Sequence, residues 1–209
     1  MISYISADLV DSTSSEWTTS AFELAIAVLR RDLESLEKFE LIVSQGDSFQ
    51  IQCSAKDGWL VALLTYFRMR QAAKPGARVA FSVGESDNTK GRPLGLRNGL
   101  VYQSAGRGVK QLHDQDLRFG FFPTDESGLN AGWAVASNYA EVLLRSTTTR
   151  QCELLSAALQ EHRFPKQEQI AREFNLAKST VSQHLAAGNY ALHIKTVQQF
   201  SSVHSKRTD

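Results

Sequence analysis

With only two cysteines in 209 residues, the chain has no material for a disulfide framework. Cys53 and Cys152 stand far apart and outside any CxxC or Cys/His ligand spacing, so a structural zinc is not indicated either, and both read as small apolar fillers. Long hydrophobic runs are also missing. No stretch approaches the ~20 residues a membrane helix needs, and the opening Met1-Ile2-Ser3-Tyr4-Ile5 carries no basic region and soon meets Asp8, so neither a membrane span nor a secretory leader is expected and the protein reads as cytoplasmic. An excess of charge is absent too. The formal net charge is +1, so no global basic field gathers nucleic acid, and any such contact has to come from a local face. There is no internal repeat and no low-complexity tract. What the chain does have is 42% hydrophobic and 22% charged residues, enough for one medium domain or for a domain plus a small module.

Residues 2–10 are short, apolar and β-rich, and Asp11-Ser12-Thr13-Ser14-Ser15 follows with turn and helix-capping chemistry. From 21 to 38, Phe22, Ile26, Leu29, Leu33 and Leu36 recur at helical spacing. Residues 40–44 and 48–53 flank Gln45-Gly46-Asp47 in the pattern of a β-hairpin with a tight Gly-Asp turn. An amphipathic helix over 56–73 stops at Lys74-Pro75-Gly76, and 77–85 reads as a buried strand. The order βαββαβ predicts an α+β fold of ferredoxin-like type, an antiparallel sheet with helices on one face. Beyond a Gly-rich loop over 87–99, a helix over 101–112, a strand over 117–123 and a helix over 133–144 are expected. Ser146-Thr147-Thr148-Thr149 breaks the periodicity and divides the chain into a unit over 1–145 and a smaller all-α unit over 146–209.

The smaller unit carries the spacing of a helix-turn-helix. A helix over 149–160 presents Leu154, Leu155, Ala158 and Leu159 to a core, and Pro165 suits the first turn of the next helix. In the run 167–185, Ala171 is small where two helices cross, Ile170, Phe174, Leu176, Val181 and Leu185 form the core, and Asn175 tolerates a left-handed turn. The second helix starts at Lys178 or Ser179, which leaves Lys178, Ser179, Thr180, Ser182, Gln183 and His184 to enter a DNA major groove. Gln183 could read adenine, whereas Lys178 or Arg172 suits phosphate. A helical bundle that binds protein instead is the competing reading. A last helix or strand over 189–200, with Tyr190, Leu192, Ile194, Val197 and Phe200, would support the module or a dimer contact.

The larger unit resembles a known family. Ser6-Ala7-Asp8-Leu9-Val10-Asp11-Ser12-Thr13 is similar to the first-strand motif of class III nucleotidyl cyclases, and Gln45-Gly46-Asp47-Ser48-Phe49 to their Gly-Asp hairpin. Residues 77–85 resemble the family's central strand, and 99–107 its helix bearing an asparagine and an arginine. The resemblance implies that Asp8 and Asp47 hold Mg²⁺ or Mn²⁺ against a nucleoside triphosphate, with backbone amides of Leu9, Val10, Asp11, Ser12 and Thr13 cradling phosphate. It further implies that Gln103, in place of the asparagine, orients ribose and Arg107 stabilises the transferred phosphoryl group, both across a homodimer interface. Val43 stands where purine-selecting members place a base-reading lysine, and 117–123 offers no partner aspartate. Over nearly its full length the chain is similar to the SatD family of bacterial proteins, which pairs Gly46-Asp47-Ser48-Phe49-Gln50 with a C-terminal helix-turn-helix.

Each residue also has an ordinary reading: Asp8 and Asp11 as caps, Gly46-Asp47 as a type I′ turn, Arg107 as a solvated helix residue, and His113 as a surface histidine. Their joint order and spacing favour a metal or nucleotide site. The resulting expectation is a DNA-binding transcriptional regulator whose cyclase-like domain senses a nucleotide or only dimerises. The alternative is an active nucleotidyl cyclase with an appended helix-turn-helix.

Overall fold

Alternation along residues 2–9 builds the first strand, β1 (Ile2–Leu9). Ser3, Ile5, Ala7 and Leu9 are buried on one face, and Ile2, Tyr4, Ser6 and Asp8 lie on the other. In the computed structural model, which describes residues 1–13, 17–44, 46–86, 91–160 and 167–205, there follow α1 (Thr19–Leu33), the hairpin strands β2 (Phe39–Val43) and β3 (Ser48–Ser54), α2 (Gly58–Ala72), β4 (Ala77–Gly84), α3 (Leu100–Asp114), β5 (Phe119–Phe121), α4 (Gly128–Arg145), α5 (Thr149–Gln160), α6 (Gln167–Glu173), α7 (Lys178–Ala187) and α8 (Tyr190–Ser205). Pro165 and the capping serines Ser14 and Ser15 lie outside the described residues. The cap of α1 is instead Thr18, whose hydroxyl accepts the Ala21 N–H at 3.1 Å.

The fold is α+β, with one five-stranded sheet in the order β2-β3-β1-β4-β5. The first four strands pair antiparallel, but β5 runs parallel to β4, so the sheet is mixed and not wholly antiparallel as expected. The reason is the crossover: α3 carries the chain from the end of β4 back to its start, and a strand returning that way must be parallel. The helices are not confined to one face either. Val101, Tyr102 and Ala105 of α3 pack with Tyr4 and Leu94 in a small cluster separate from the main core. The outer edge of β5 is covered by α4. Ser137 Oγ accepts the Phe121 N–H at 2.9 Å and Glu141 Oε1 accepts the Arg118 N–H at 3.0 Å, so side chains take the place of a further strand.

Helix α2 is not amphipathic. Every residue from Gly58 to Phe67 is buried, as expected of a helix enclosed on all sides. Its first turn presses on β1, where a Cβ at Gly58 would collide with the Ser3 hydroxyl. On one flank, Arg68 Nε donates to the buried carboxylate of Asp32 in α1 at 2.5 Å. Arg68 also donates to Gln71 at 2.9 Å, and Gln71 in turn donates to Ser156 of α5 at 2.6 Å. On the other flank Phe200 of α8, fully buried, lies 5.7 Å from Trp59, 5.0 Å from Trp133 and 6.2 Å from Phe81 between ring centroids. The main core therefore runs without a break from β1 through α2 into α5, α7 and α8, across the 145/146 position where the sequence periodicity breaks. Among the described residues no helix is long and apolar enough to cross a membrane.

Candidate functional site

Two groups of sequence-predicted residues occupy different parts of the molecule. The first lies at the end of β1. Register sets Asp8 opposite Ser48 of β3 and Arg78 of β4, so its carboxyl emerges beside the turn that carries Asp47. The Asp8 and Asp47 carboxyls are close enough to share a hydrogen bond, and the Asp8 pKa is raised first by burial and then by the Asp47 charge. Arg78 opposes that rise, with Nη1 3.8 Å from Asp8 Oδ2, and His113 of α3 acts weakly in the same sense. Sequence reasoning passed over Arg78 and read His113 as a surface histidine. Arg78 did leave a signal, being the one charged residue in the apolar run of β4, and a strand buried along its length rarely holds a cation without an anionic partner.

The loop after β1 is braced by its own backbone. The Leu9 N–H donates to the Asp47 carbonyl at 3.1 Å, and the Val10 N–H to the Gly76 carbonyl at 3.0 Å. These amides are thus engaged within the fold. Asp11 takes a left-handed φ of 49° and with Thr13 is exposed, while Ser12 is half-buried. Gln103 and Arg107 are exposed one turn apart on the solvent side of α3. Gln103 donates to Asn98 Oδ1 at 2.9 Å, and Arg107 is not among the charges acting on Asp8. A single chain therefore brings Asp8 to Asp47 but leaves Gln103 and Arg107 facing outward. Paired carboxylates are hard oxygen donors suited to Mg²⁺ or Mn²⁺. Among the described residues no group of three or more His, Cys, Asp or Glu could hold an ion.

The second group lies on α6 and α7. The Leu176 N–H reaches the Ala171 carbonyl at 2.8 Å and the Asn175 N–H the Arg172 carbonyl at 3.2 Å, closing α6 through Asn175 at φ 50°. Ile170, Ala171, Val181 and Leu185 are buried, with Phe174 and Leu176 packed against them, and Arg150 of α5 lies 5.1 Å over the Phe174 ring. Ser179 and Gln183 are exposed, as is Arg172, whereas Thr180, Ser182 and His184 are half-buried. Lys178 is exposed and paired with Glu168 at 2.7 Å. The outer face of α7 thus offers uncharged hydrogen-bonding groups flanked by two cations.

None of the predicted site residues lines a groove of about 890 Å³ that lies at the far end of β1 among Met1, Phe39, Glu40, Gln52 and Lys56. The chain matches no protein-family model and no curated protein.

Proposed function

We propose that the protein is a DNA-binding transcriptional regulator, in keeping with its SatD-family resemblance, in which α6 and α7 form a helix-turn-helix. The observation that carries this reading is the left-handed Asn175 between two helices whose inner faces are buried and whose second member presents Ser179 and Gln183 to solvent. That turn sets two short helices at an angle, and a polar outward face on the second is what a major groove reads. Gln183 suits adenine, Thr180, Ser182 and His184 border the same face, and Lys178 and Arg172 suit phosphate. The β2-β3-β1-β4 order with its three antiparallel ladders supports a ferredoxin-like, cyclase-like platform, which would pair two copies and set the spacing of their helix-turn-helix modules.

Selection from a randomised duplex pool, followed by anisotropy titration, tests this. Gln183→Ala should weaken the selected duplex by roughly 1–3 kcal/mol with an unchanged melting temperature. Equal binding by the variant, or no enrichment at all, would sink the reading. With two candidate phosphate contacts per chain, the log–log salt slope of a dimer should be shallow, about −4.

A second reading, a nucleotidyl cyclase, is favoured by the pairing of Asp8 with Asp47, whose mutual repulsion a divalent cation would relieve. Mg²⁺ or Mn²⁺ there would neutralise triphosphate charge, Asp8 and Asp47 would hold it, and Arg107 and Gln103 would be supplied by the second chain of a homodimer. Incubation with each nucleoside triphosphate and Mn²⁺, read by mass spectrometry with Asp47→Ala as control, decides it: a cyclic product absent from the control establishes the enzyme.

A further inference from the structure

The C-terminal end of α2, the turn before β5 and the C-terminal end of α4 meet around a pocket of about 200 Å³ lined by Tyr66, Arg70, Pro75, Arg118 and Arg145. Three guanidinium groups from separate segments converge there. Two have carboxylate partners: Arg118 Nη1 lies 2.9 Å from Asp116 Oδ1, and Arg145 lies 2.9 Å from Asp116 Oδ2 and 3.3 Å from Glu141 Oε1. Arg70 has no ion pair with any described residue, and its Nε is shut off from solvent with no hydrogen-bond partner. A guanidinium nitrogen withdrawn from water without an acceptor is costly to maintain. The Tyr66 hydroxyl donates to the Leu144 carbonyl at 3.1 Å, which holds the pocket wall against the end of α4.

Charge and room together point to the missing partner. Three cations face two carboxylates, Asp116 and Glu141, which leaves one positive charge over. Asp116 stands on the rim with its side chain 73% exposed, and burial raises the Glu141 carboxyl to about 7, so its own negative charge is reduced near neutrality. At about 30 Å³ per water-sized group, the pocket admits about six or seven heavy atoms, enough for a phosphate group. A planar guanidinium offers paired donors matched to phosphate or carboxylate oxygens, and three of them supply more donors than the two oxygens of a carboxylate accept.

We propose that this pocket is an oxyanion site that takes a phosphate group, bound by Arg70 from within and by Arg118 and Arg145 from the rim. It is separate from Asp8 and Asp47 and does not depend on either reading of them. The bound group is inorganic phosphate or the terminal phosphate of a small metabolite that projects outward past Asp116.

The test uses the full chain at constant ionic strength, with thermal unfolding followed against low-millimolar inorganic phosphate and, separately, ribose 5-phosphate. A saturable rise in Tm is expected, since a ligand that binds only the folded state stabilises it by mass action, and concentrations this low keep general salting effects small. Arg70→Met should fold as well as the parent, because the Nε has no partner to lose, yet weaken binding at least tenfold. Arg118→Gln, a rim change, should weaken it less. Ribose 5-phosphate binding tighter than phosphate identifies a phosphorylated metabolite as the source, and equal binding identifies free phosphate. No saturable rise with either probe, or the same rise in Arg70→Met, overturns the proposal.

Discussion

Glu141→Gln isolates one buried charge. The side chain is 3% exposed. Its Oε1 accepts the Arg118 N–H at 3.0 Å and faces Arg145 Nε at 3.3 Å, while Oε2 is buried without a partner. Burial outweighs the Arg118 and Arg145 contacts and raises the pKa to about 7, against ~4.3 for a glutamate in an unfolded chain. Between those values the native state keeps a proton that the unfolded chain has released, so this group's stabilising contribution is fully present below ~4.3 and is lost as pH rises to about 7. At ~1.4 kcal/mol for each pH unit separating the folded from the unfolded value, the whole span is worth roughly 4 kcal/mol. Glutamine does not titrate. It keeps an oxygen for the Arg118 N–H and buries an amide N–H₂ where Oε2 stood, at a cost of roughly 1–3 kcal/mol that does not vary with pH.

The decisive quantity is therefore the difference between parent and variant, from which other titrating groups cancel. Urea unfolding from about pH 5 to about pH 8 should show the parent losing roughly 2–3 kcal/mol relative to Glu141→Gln. Parallel stability curves for the two proteins would show that the carboxylate is ionised throughout and would refute the assignment of burial as the dominant cause.

Phe200→Ala should cost roughly 3–5 kcal/mol, and because the core is continuous across position 145 the loss should appear in a single transition by calorimetry. Two separated transitions would contradict that continuity. At Asn175, φ 50° makes glycine the easier replacement: Asn175→Gly should be near neutral and Asn175→Ala should lose about 1 kcal/mol, and equal chemical stabilities would mean the turn is not held there. Arg68→Met should cost roughly 3–5 kcal/mol by leaving Asp32 buried and unpaired. The double variant Arg68→Met, Asp32→Leu should recover most of that, as read by thermal unfolding, and additive losses would count against an uncompensated charge as the cause.

Local patterns carried much of this fold in the sequence. Strand β1, the hairpin around Gly46 and the left-handed Asn175 each depend on a few neighbouring residues, and alternation, turn chemistry and cap chemistry are local signals. Helix α5 matches its expected span, Thr149–Gln160. The pairing of Asp8 with Asp47 was expected only through the family resemblance; in the structure it follows from register, which sets the end of β1 beside the turn that leads into β3. What escaped was non-local. Arg70, Arg118 and Arg145 lie on three segments that meet only after β5 has joined the sheet, and no window of sequence contains two of them. The direction of β5 depends on where α3 returns the chain, which periodicity does not encode.

Helix α2 shows how a local reading goes wrong. Its window, Trp59-Leu60-Val61-Ala62-Leu63-Leu64, is apolar on every side, and an amphipathic assignment had to place some of those residues in water. The structure gives each face a partner: the sheet beneath, and α1, α5 and α8 around the rest. A helix enclosed by elements from both sides of position 145 is shared between the two units that the break in periodicity distinguishes. The apolar stripe of α5 is used against α2 as well as against α7, and Phe200 of α8 fills space among Trp59, Phe81 and Trp133. The unit that carries α6 and α7 consequently draws part of its stability from the sheet unit. Weakening α2 should loosen both together, which is why one transition, rather than two, is expected of Phe200→Ala.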